Sequence, residues 1–176
     1  MRIYEGSPRQ GFEEVLRSVG AVLDQRGMRE ISLTEIPDGF LVQGLVVAQS
    51  GSAWNEAYGQ QRKETLTFVD DDIARFMEEG MARREQPTPV AAYAEAGPYE
   101  AALRVIGHYI DGQHPRDVFF FEQEGAYVLR LLTATQTGAR HMLVEFTQDD
   151  IARLVAEART AREAGGTAAG ALGTPR

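Results

Sequence analysis

The sequence predicts an α+β fold built from two copies of an α-β-β-β-α unit, and three observations lead to that prediction. The stretch from Tyr4 to Arg84 recurs in degenerate form from Tyr93 to Arg162. Apolar residues follow helical spacing at both ends of each copy, and between those ends they follow the alternation of strands. We therefore expect a tandem duplication, with antiparallel sheets flanked by helices and a pseudo-twofold axis between the halves.

The two copies match position by position. At one constant offset, Leu16, Arg17, Gly20, Asp24, Arg29 and Glu35 correspond to Leu103, Arg104, Gly107, Asp111, Arg116 and Glu122. After a one-residue deletion, Gly39, Val42 and Leu45 correspond to Gly125, Val128 and Leu131. These matches place the first repeat at residues 1–84, a linker at 85–97, the second repeat at 98–164, and a flexible Gly/Ala tail at 165–176.

The first element of each repeat is expected to be a helix. Its apolar stripe is Phe12, Val15, Leu16, Val19, Val22 and Leu23 in one repeat, and Ala102, Leu103, Ile106, Tyr109 and Ile110 in the other. Ser7-Pro8 and Gly97-Pro98 are typical helix starts, whereas Gly27 and Gly112 are typical ends. Both helices therefore turn one apolar face toward a core.

Three strands are expected after each of these helices. Residues 29–36, 40–48 and 64–69 form them in the first repeat, and residues 118–123, 126–134 and 141–146 in the second. Asp38-Gly39 and Glu124-Gly125 are typical hairpin turns, because Gly tolerates positive φ. The two sheets are expected either to pack together or to join edge to edge.

A closing helix is expected at about residues 70–84 and again at 148–164. Thr147 and Asp150 have the spacing of a capping box, in which each side chain accepts a hydrogen bond from the other residue's backbone. The acidic run Asp70-Asp71-Asp72 lacks the ligand spacing of a calcium loop and is better explained by helix capping.

One strand is apolar on both faces. In the run Val118-Phe119-Phe120-Phe121, phenylalanines occupy positions where the first repeat has Ser32 and Thr34. A strand of this kind must be covered on both sides. Its own helices cover one side, so we expect Phe119 and Phe121 to meet the first repeat or a second copy of the protein.

Composition argues against several function classes. The 176 residues carry a formal net charge of −8 with a single lysine, Lys63, which disfavours nucleic acid and anionic membrane as partners. With no cysteine, thiol chemistry and thiolate metal sites are excluded. The amino terminus has no signal-peptide-like apolar run, and no stretch reaches the roughly 18 apolar residues of a membrane span. We expect a cytoplasmic protein.

Residues 49–62 form a loop that is about eight residues longer than its counterpart and contains Trp54 and Tyr58. Long loops are often functional, and Trp and Tyr are favoured interface anchors. Trp54 could equally fold back onto its own core.

Other polar residues offer weaker signals. His108 and Asp111 are spaced like metal ligands, but Gly112 and Pro115 indicate that the helix ends before His114. His141 stands alone. The repeated pairs Arg17/Arg104, Asp24/Asp111, Arg29/Arg116 and Glu35/Glu122 are expected to have a structural role, such as tying helix to strand. A paired polar site between the halves is the alternative.

These observations favour a non-enzymatic binding or assembly module acting through the apolar sheet face and the Trp54 loop, with a homodimer or protein partner. No cofactor and no metal are expected, and no P-loop, dinucleotide fingerprint or nucleophile elbow is present. The alternative is a small-molecule site or enzyme in the groove between repeats, with Trp54 and Tyr58 as a lid and Arg104, His108 or His141 as polar contacts.

Overall fold

The structure is a computed structural model that describes residues 11–47, 61–85, 96–135 and 138–163. Its ten elements are α1 (Gly11–Arg26), β1 (Met28–Ile36), β2 (Gly39–Val47), β3 (Gln61–Val69), α2 (Asp70–Glu85), α3 (Pro98–Gln113), β4 (Asp117–Gln123), β5 (Ala126–Thr135), β6 (Gly138–Phe146) and α4 (Gln148–Glu163). The predicted α+β class is confirmed, with antiparallel strands and four helices. Trp54 and Tyr58, residues 86–95 of the predicted linker, and the predicted tail lie outside the described residues.

The six strands form one sheet in the order β3-β2-β1-β4-β5-β6. Neighbouring strands are all antiparallel, and the central pair joins β1 to β4 through Leu33 opposite Phe120. Of the two arrangements expected from the sequence, edge-to-edge joining is the one observed. Strands β1–β3 therefore do not cover the second face of Val118–Phe121, because they extend the same sheet.

All four helices contribute to a core on one face of this sheet. Alternate strand residues point into it, and α1 and α3 cover them with fully buried leucine and isoleucine side chains. The largest buried side chains are Phe40, Phe120, Phe146, Leu16, Leu23, Met28, Ile31, Leu33, Ile73, Leu103, Ile106 and Ile110. Each such side chain contributes roughly 1.5–3 kcal/mol to stability by leaving water.

Local sequence signals set the turns and helix starts. Asp150 N donates to Thr147 Oγ1 at 3.1 Å, and Thr147 N donates to Asp150 Oδ2 at 3.2 Å, so the predicted capping box is confirmed. Pro98 occupies the first turn of α3. In the β4–β5 hairpin, Glu124 and Gly125 have φ of 51° and 80°, which are the positive values of a tight primed turn.

The two long core helices touch through their backbones. A Cβ built on Gly20 of α1 would lie 2.5 Å from the carbonyl oxygen of Tyr99, and one built on Gly107 of α3 would lie 2.5 Å from the carbonyl oxygen of Phe12. No side chain larger than hydrogen fits at either position. The start of each helix consequently lies against the middle of the other.

Candidate functional site

Two surfaces of this fold contain the predicted site residues that the structure describes: Arg104, His108, Phe119, Phe121 and His141. One is the contact between α1 and α3, which we call the interhelix cluster: Glu13, Glu14, Arg17, Asp24, Glu100, Arg104, His108 and Asp111. The other is the sheet face turned away from the helices, which we call the outer sheet face. Its central residues are Ser32, Thr34, Leu41, Phe119, Phe121, Val128, Arg130, Leu143 and Glu145.

Two aspartates of the interhelix cluster cap the opposite helix. Asp24, near the end of α1, accepts hydrogen bonds from the backbone N–H groups of Tyr99 at 3.1 Å and Glu100 at 2.9 Å. Asp111, near the end of α3, accepts equivalent bonds from Phe12 and Glu13, both at 3.0 Å. Each carboxylate thus satisfies first-turn donors of the other helix and lies at the positive end of its dipole.

Arginines link the same helices through ion pairs. Arg17 Nε lies 3.0 Å from Glu14 Oε2, and its Nη1 lies 2.7 Å from Glu100 Oε1 across the contact. Arg104 of α3 makes an ion pair with α1, since its Nε lies 3.1 Å from Glu13 Oε1. Arg17 is 5% exposed and Glu14 is 4% exposed, so neither charge would be tolerated there without its partner.

These contacts change the role expected for the sequence-matched arginines. The sequence suggested a pair tying helix to strand, whereas Arg17 and Arg104 tie helix to helix. The sequence-matched glutamates Glu35 and Glu122 instead tie strand to strand. Glu35 of β1 accepts from Val118 N at 3.0 Å, and Glu122 of β4 accepts from Ile31 N at 3.4 Å.

His108 completes the interhelix cluster. Its Nδ1 lies 3.0 Å from Glu13 Oε2, and this hydrogen bond raises the pKa of His108 despite partial burial. Burial alone would raise the pKa of Glu13, but hydrogen bonds and charges from His108 and Arg104 hold it at about 2. Burial raises the pKa of Asp111 to about 6, against the opposing effect of its two backbone hydrogen bonds.

The glutamate of β4 also anchors a tyrosine. Tyr99 Oη donates to Glu122 Oε2 at 2.5 Å, and burial together with this bond raises the pKa of Tyr99 above its usual range. Glu122 therefore joins the start of α3, its own strand β4, and β1. Every polar atom described so far is engaged in holding elements together.

The outer sheet face has a different composition. Across its middle, one row of paired residues reads Thr67, Leu41, Thr34, Phe119, Arg130 and Leu143, and the next reads Thr65, Gln43, Ser32, Phe121, Val128 and Glu145. Phe119 and Phe121 are half-buried, with ring centroids 5.8 Å apart. The guanidinium of Arg130 lies 5.2 Å from the Phe119 ring centroid, and Leu143 is 71% exposed. An aromatic pair therefore occupies the centre of a sheet surface on the side away from the four helices.

The predicted site residues divide between these surfaces. Arg104 and His108 lie together in the interhelix cluster. Phe119 and Phe121 lie on the outer sheet face, and His141, which pairs with Leu132 on edge strand β6, is exposed on that same face. The sheet thus separates the two histidines proposed for one groove.

Sequence reasoning missed the capping role of Asp24 and Asp111, and it did not single out Glu13 or Glu14. One signal was available, because each aspartate follows the matched glycine, Gly20 or Gly107, by four residues. That spacing places glycine and carboxylate on the same helix face. A close helix crossing with a cap at its edge could therefore have been predicted.

Within residues 11–47, 61–85, 96–135 and 138–163, no group of three His, Asp or Glu side chains could hold a metal ion. None of the described helices is long and apolar enough to cross a bilayer. No protein-family model matches the chain, and neither a curated protein nor a solved structure matches it.

Proposed function

We propose that the chain is a duplicated scaffold whose two halves are related by a pseudo-twofold axis between α1 and α3. The reciprocal caps of Asp24 and Asp111 support this proposal, as do the reciprocal glycine contacts of Gly20 and Gly107. Each member of a sequence-matched pair makes the same kind of contact to the opposite half. An interface of this kind is what two identical units form around a twofold axis.

We further propose that the protein is a non-enzymatic binding or assembly module, and that it binds a protein through the outer sheet face. The observation that carries this is the Phe119–Phe121 pair, half-buried at the centre of that face. Aromatic side chains and arginine are enriched in protein interfaces, and here Arg130 lies over the Phe119 ring. A contribution from the Trp54 loop rests on the sequence alone.

The alternative is a small-molecule site or enzyme in the groove between the repeats. The Glu13–His108 pair favours it, since a histidine beside a carboxylate is a common arrangement in general acid–base catalysis. Against it, Glu13 also binds Arg104, and Glu14 binds Arg17 and Arg104. Groups paired in this way serve the helix contact, so the binding module is the better-supported function.

Site-specific photo-cross-linking in cells that express the protein tests this function. A benzophenone-bearing phenylalanine replaces Phe119, which keeps an aromatic ring on the outer sheet face. The control places the same residue at Ala152, which is exposed on α4. We expect protein adducts from position 119 and none from position 152. Adducts from neither position, or equally from both, would refute binding through this face, and their masses identify the protein bound.

A further inference from the structure

We propose that the outer sheet face binds a second copy of this chain, face to face, with strands β1–β3 of each copy covering strands β4–β6 of the other. The inference rests on the proposed function of that face and names its occupant. It follows from the size of the face, the shape of its centre and the distribution of its charges.

The size of the face suits a stable dimer. Six strands at a spacing of about 4.8 Å span roughly 24 Å, and strands of seven to ten residues are about 23–33 Å long. Each copy therefore offers roughly 550–800 Å² of flat area. Two copies together would bury about 1,100–1,600 Å², which reaches the range of specific protein–protein interfaces.

Shape complementarity selects the arrangement. Phe119 and Phe121 of β4 are directly opposite Thr34 and Ser32 of β1 in the same sheet. Consider a twofold axis that is parallel to the strands and lies between the two stacked sheets, level with the boundary of β1 and β4. This axis places β1 of each copy over β4 of the other. Each phenylalanine pair then lies over Thr34 and Ser32 of the second copy, so that large side chains fill the space left by small ones. Sheets packed in this way keep their strands nearly aligned, as in β-sandwiches.

The charges on the face favour the same axis. Lys63 and Arg29 share a row with Leu45 on the β1–β3 side. Asp117 and Glu145 lie on the β4–β6 side together with Arg130, which lies over the Phe119 ring. Within the described part of the chain, Lys63, Arg29, Asp117 and Glu145 form no ion pair. The axis along the strands brings Lys63 within side-chain reach of Glu145 of the second copy, twice per dimer. An axis across the strands would instead place β3 over β3 of the second copy, and the residues of β3 on this face, Thr65, Thr67 and Val69, offer Lys63 no acidic partner.

Sedimentation equilibrium of the full-length protein, from low to high micromolar concentration, tests the dimer. We expect twice the monomer mass of 19.4 kDa for the natural sequence. Lys63→Glu and Glu145→Lys should each weaken dimerisation by about 3- to 30-fold, because each variant places like charges together at two symmetric contacts. The double variant carrying both changes should restore the original dissociation constant to within about threefold.

A matched control separates this contact from a general effect of charge. Arg140→Glu changes the net charge as Lys63→Glu does, but Arg140 pairs with Thr133 and lies on the helix side of edge strand β6. We expect it to leave dimerisation unchanged. All of the altered positions are exposed, so the variants should fold, and circular dichroism verifies that they do.

The outcomes distinguish this inference from the proposed function. A protein that stays monomeric at every concentration refutes the second copy, while cross-links from position 119 to a different protein would still support the binding module. A dimer that Lys63→Glu and Arg140→Glu weaken equally refutes the arrangement proposed here. A dimer that the double variant fails to restore also refutes it.

Discussion

Substituting Gly107 by alanine should separate the two central helices. The new Cβ would lie 2.5 Å from the carbonyl oxygen of Phe12, whereas ordinary van der Waals contact begins at about 3.4 Å. The helices must therefore move apart by about 0.9 Å. That movement stretches the two 3.0 Å hydrogen bonds that the backbone N–H groups of Phe12 and Glu13 donate to Asp111 beyond bonding distance.

Three contributions determine how much Gly107→Ala lowers the free energy of unfolding. Overpacking a tight contact costs about 1–3 kcal/mol, and losing a helix cap costs about 1 kcal/mol more. The better helix propensity of alanine returns up to about 1 kcal/mol. We expect Gly107→Ala to lower the free energy of unfolding by about 2–3 kcal/mol, which corresponds to a Tm lower by roughly 4–12 °C for a chain of this size.

The matched control is Gly112→Ala in the same helix. Gly112 is exposed, and a Cβ there would have nothing within 4 Å, so only helix propensity changes. It should raise the free energy of unfolding by about 0.5–1 kcal/mol. Urea denaturation followed by circular dichroism measures both variants. Equal stability of Gly107→Ala and Gly112→Ala would refute the backbone contact between the helices.

The opposite glycine extends this test. Gly20 makes the same 2.5 Å approach to the carbonyl oxygen of Tyr99, so Gly20→Ala should cost about as much as Gly107→Ala. Once one alanine has moved the helices apart, the second meets less resistance. The loss in the double variant should therefore be smaller than the sum of the single losses.

Two further predictions concern pH and a turn. Because the pKa of Asp111 is raised to about 6, the folded state binds a proton that the unfolded state releases, so stability should increase by up to about 3 kcal/mol as pH falls from 7 to 4. Because the pKa of Glu13 is lowered to about 2, its stabilisation is present above pH 4.5 and lost as pH falls from 4.5 to 2. Urea denaturation at several pH values should show that the increase in stability between pH 7 and 4 vanishes in Asp111→Asn. A pH dependence equal to that of the natural sequence would contradict the attribution of this increase to Asp111. In the hairpin, Glu124→Asn should stabilise the fold by about 0.5–1 kcal/mol, since asparagine tolerates the φ of 51° better than glutamate; thermal unfolding no higher than that of the natural sequence would count against it.

Much of the fold could be predicted because the signals are local. The spacing of Leu16, Val19 and Leu23 depends only on how a helix turns, and the Thr147–Asp150 capping box closes within one turn. The candidate site was harder to predict. The sequence predicts Phe119 as an interface residue because a strand apolar on both faces is visible in it, whereas the caps of Asp24 and Asp111 span 75 and 99 residues. Contacts so distant in sequence leave only an indirect signal, the four-residue spacing of Gly20 and Asp24 and of Gly107 and Asp111.

The sequence by itself determined the class of the fold, the order of its elements and the apolar pattern of each. It also indicated that Phe119 and Phe121 lie on a strand face that their own helices do not cover. Only the tertiary structure decided that the β1–β4 edges join, since strand edges carry similar backbone donors and acceptors whatever their side chains. It also decided that Arg104 and His108 belong to a helix contact, because the partners of a charged side chain depend on which helix packs against its own.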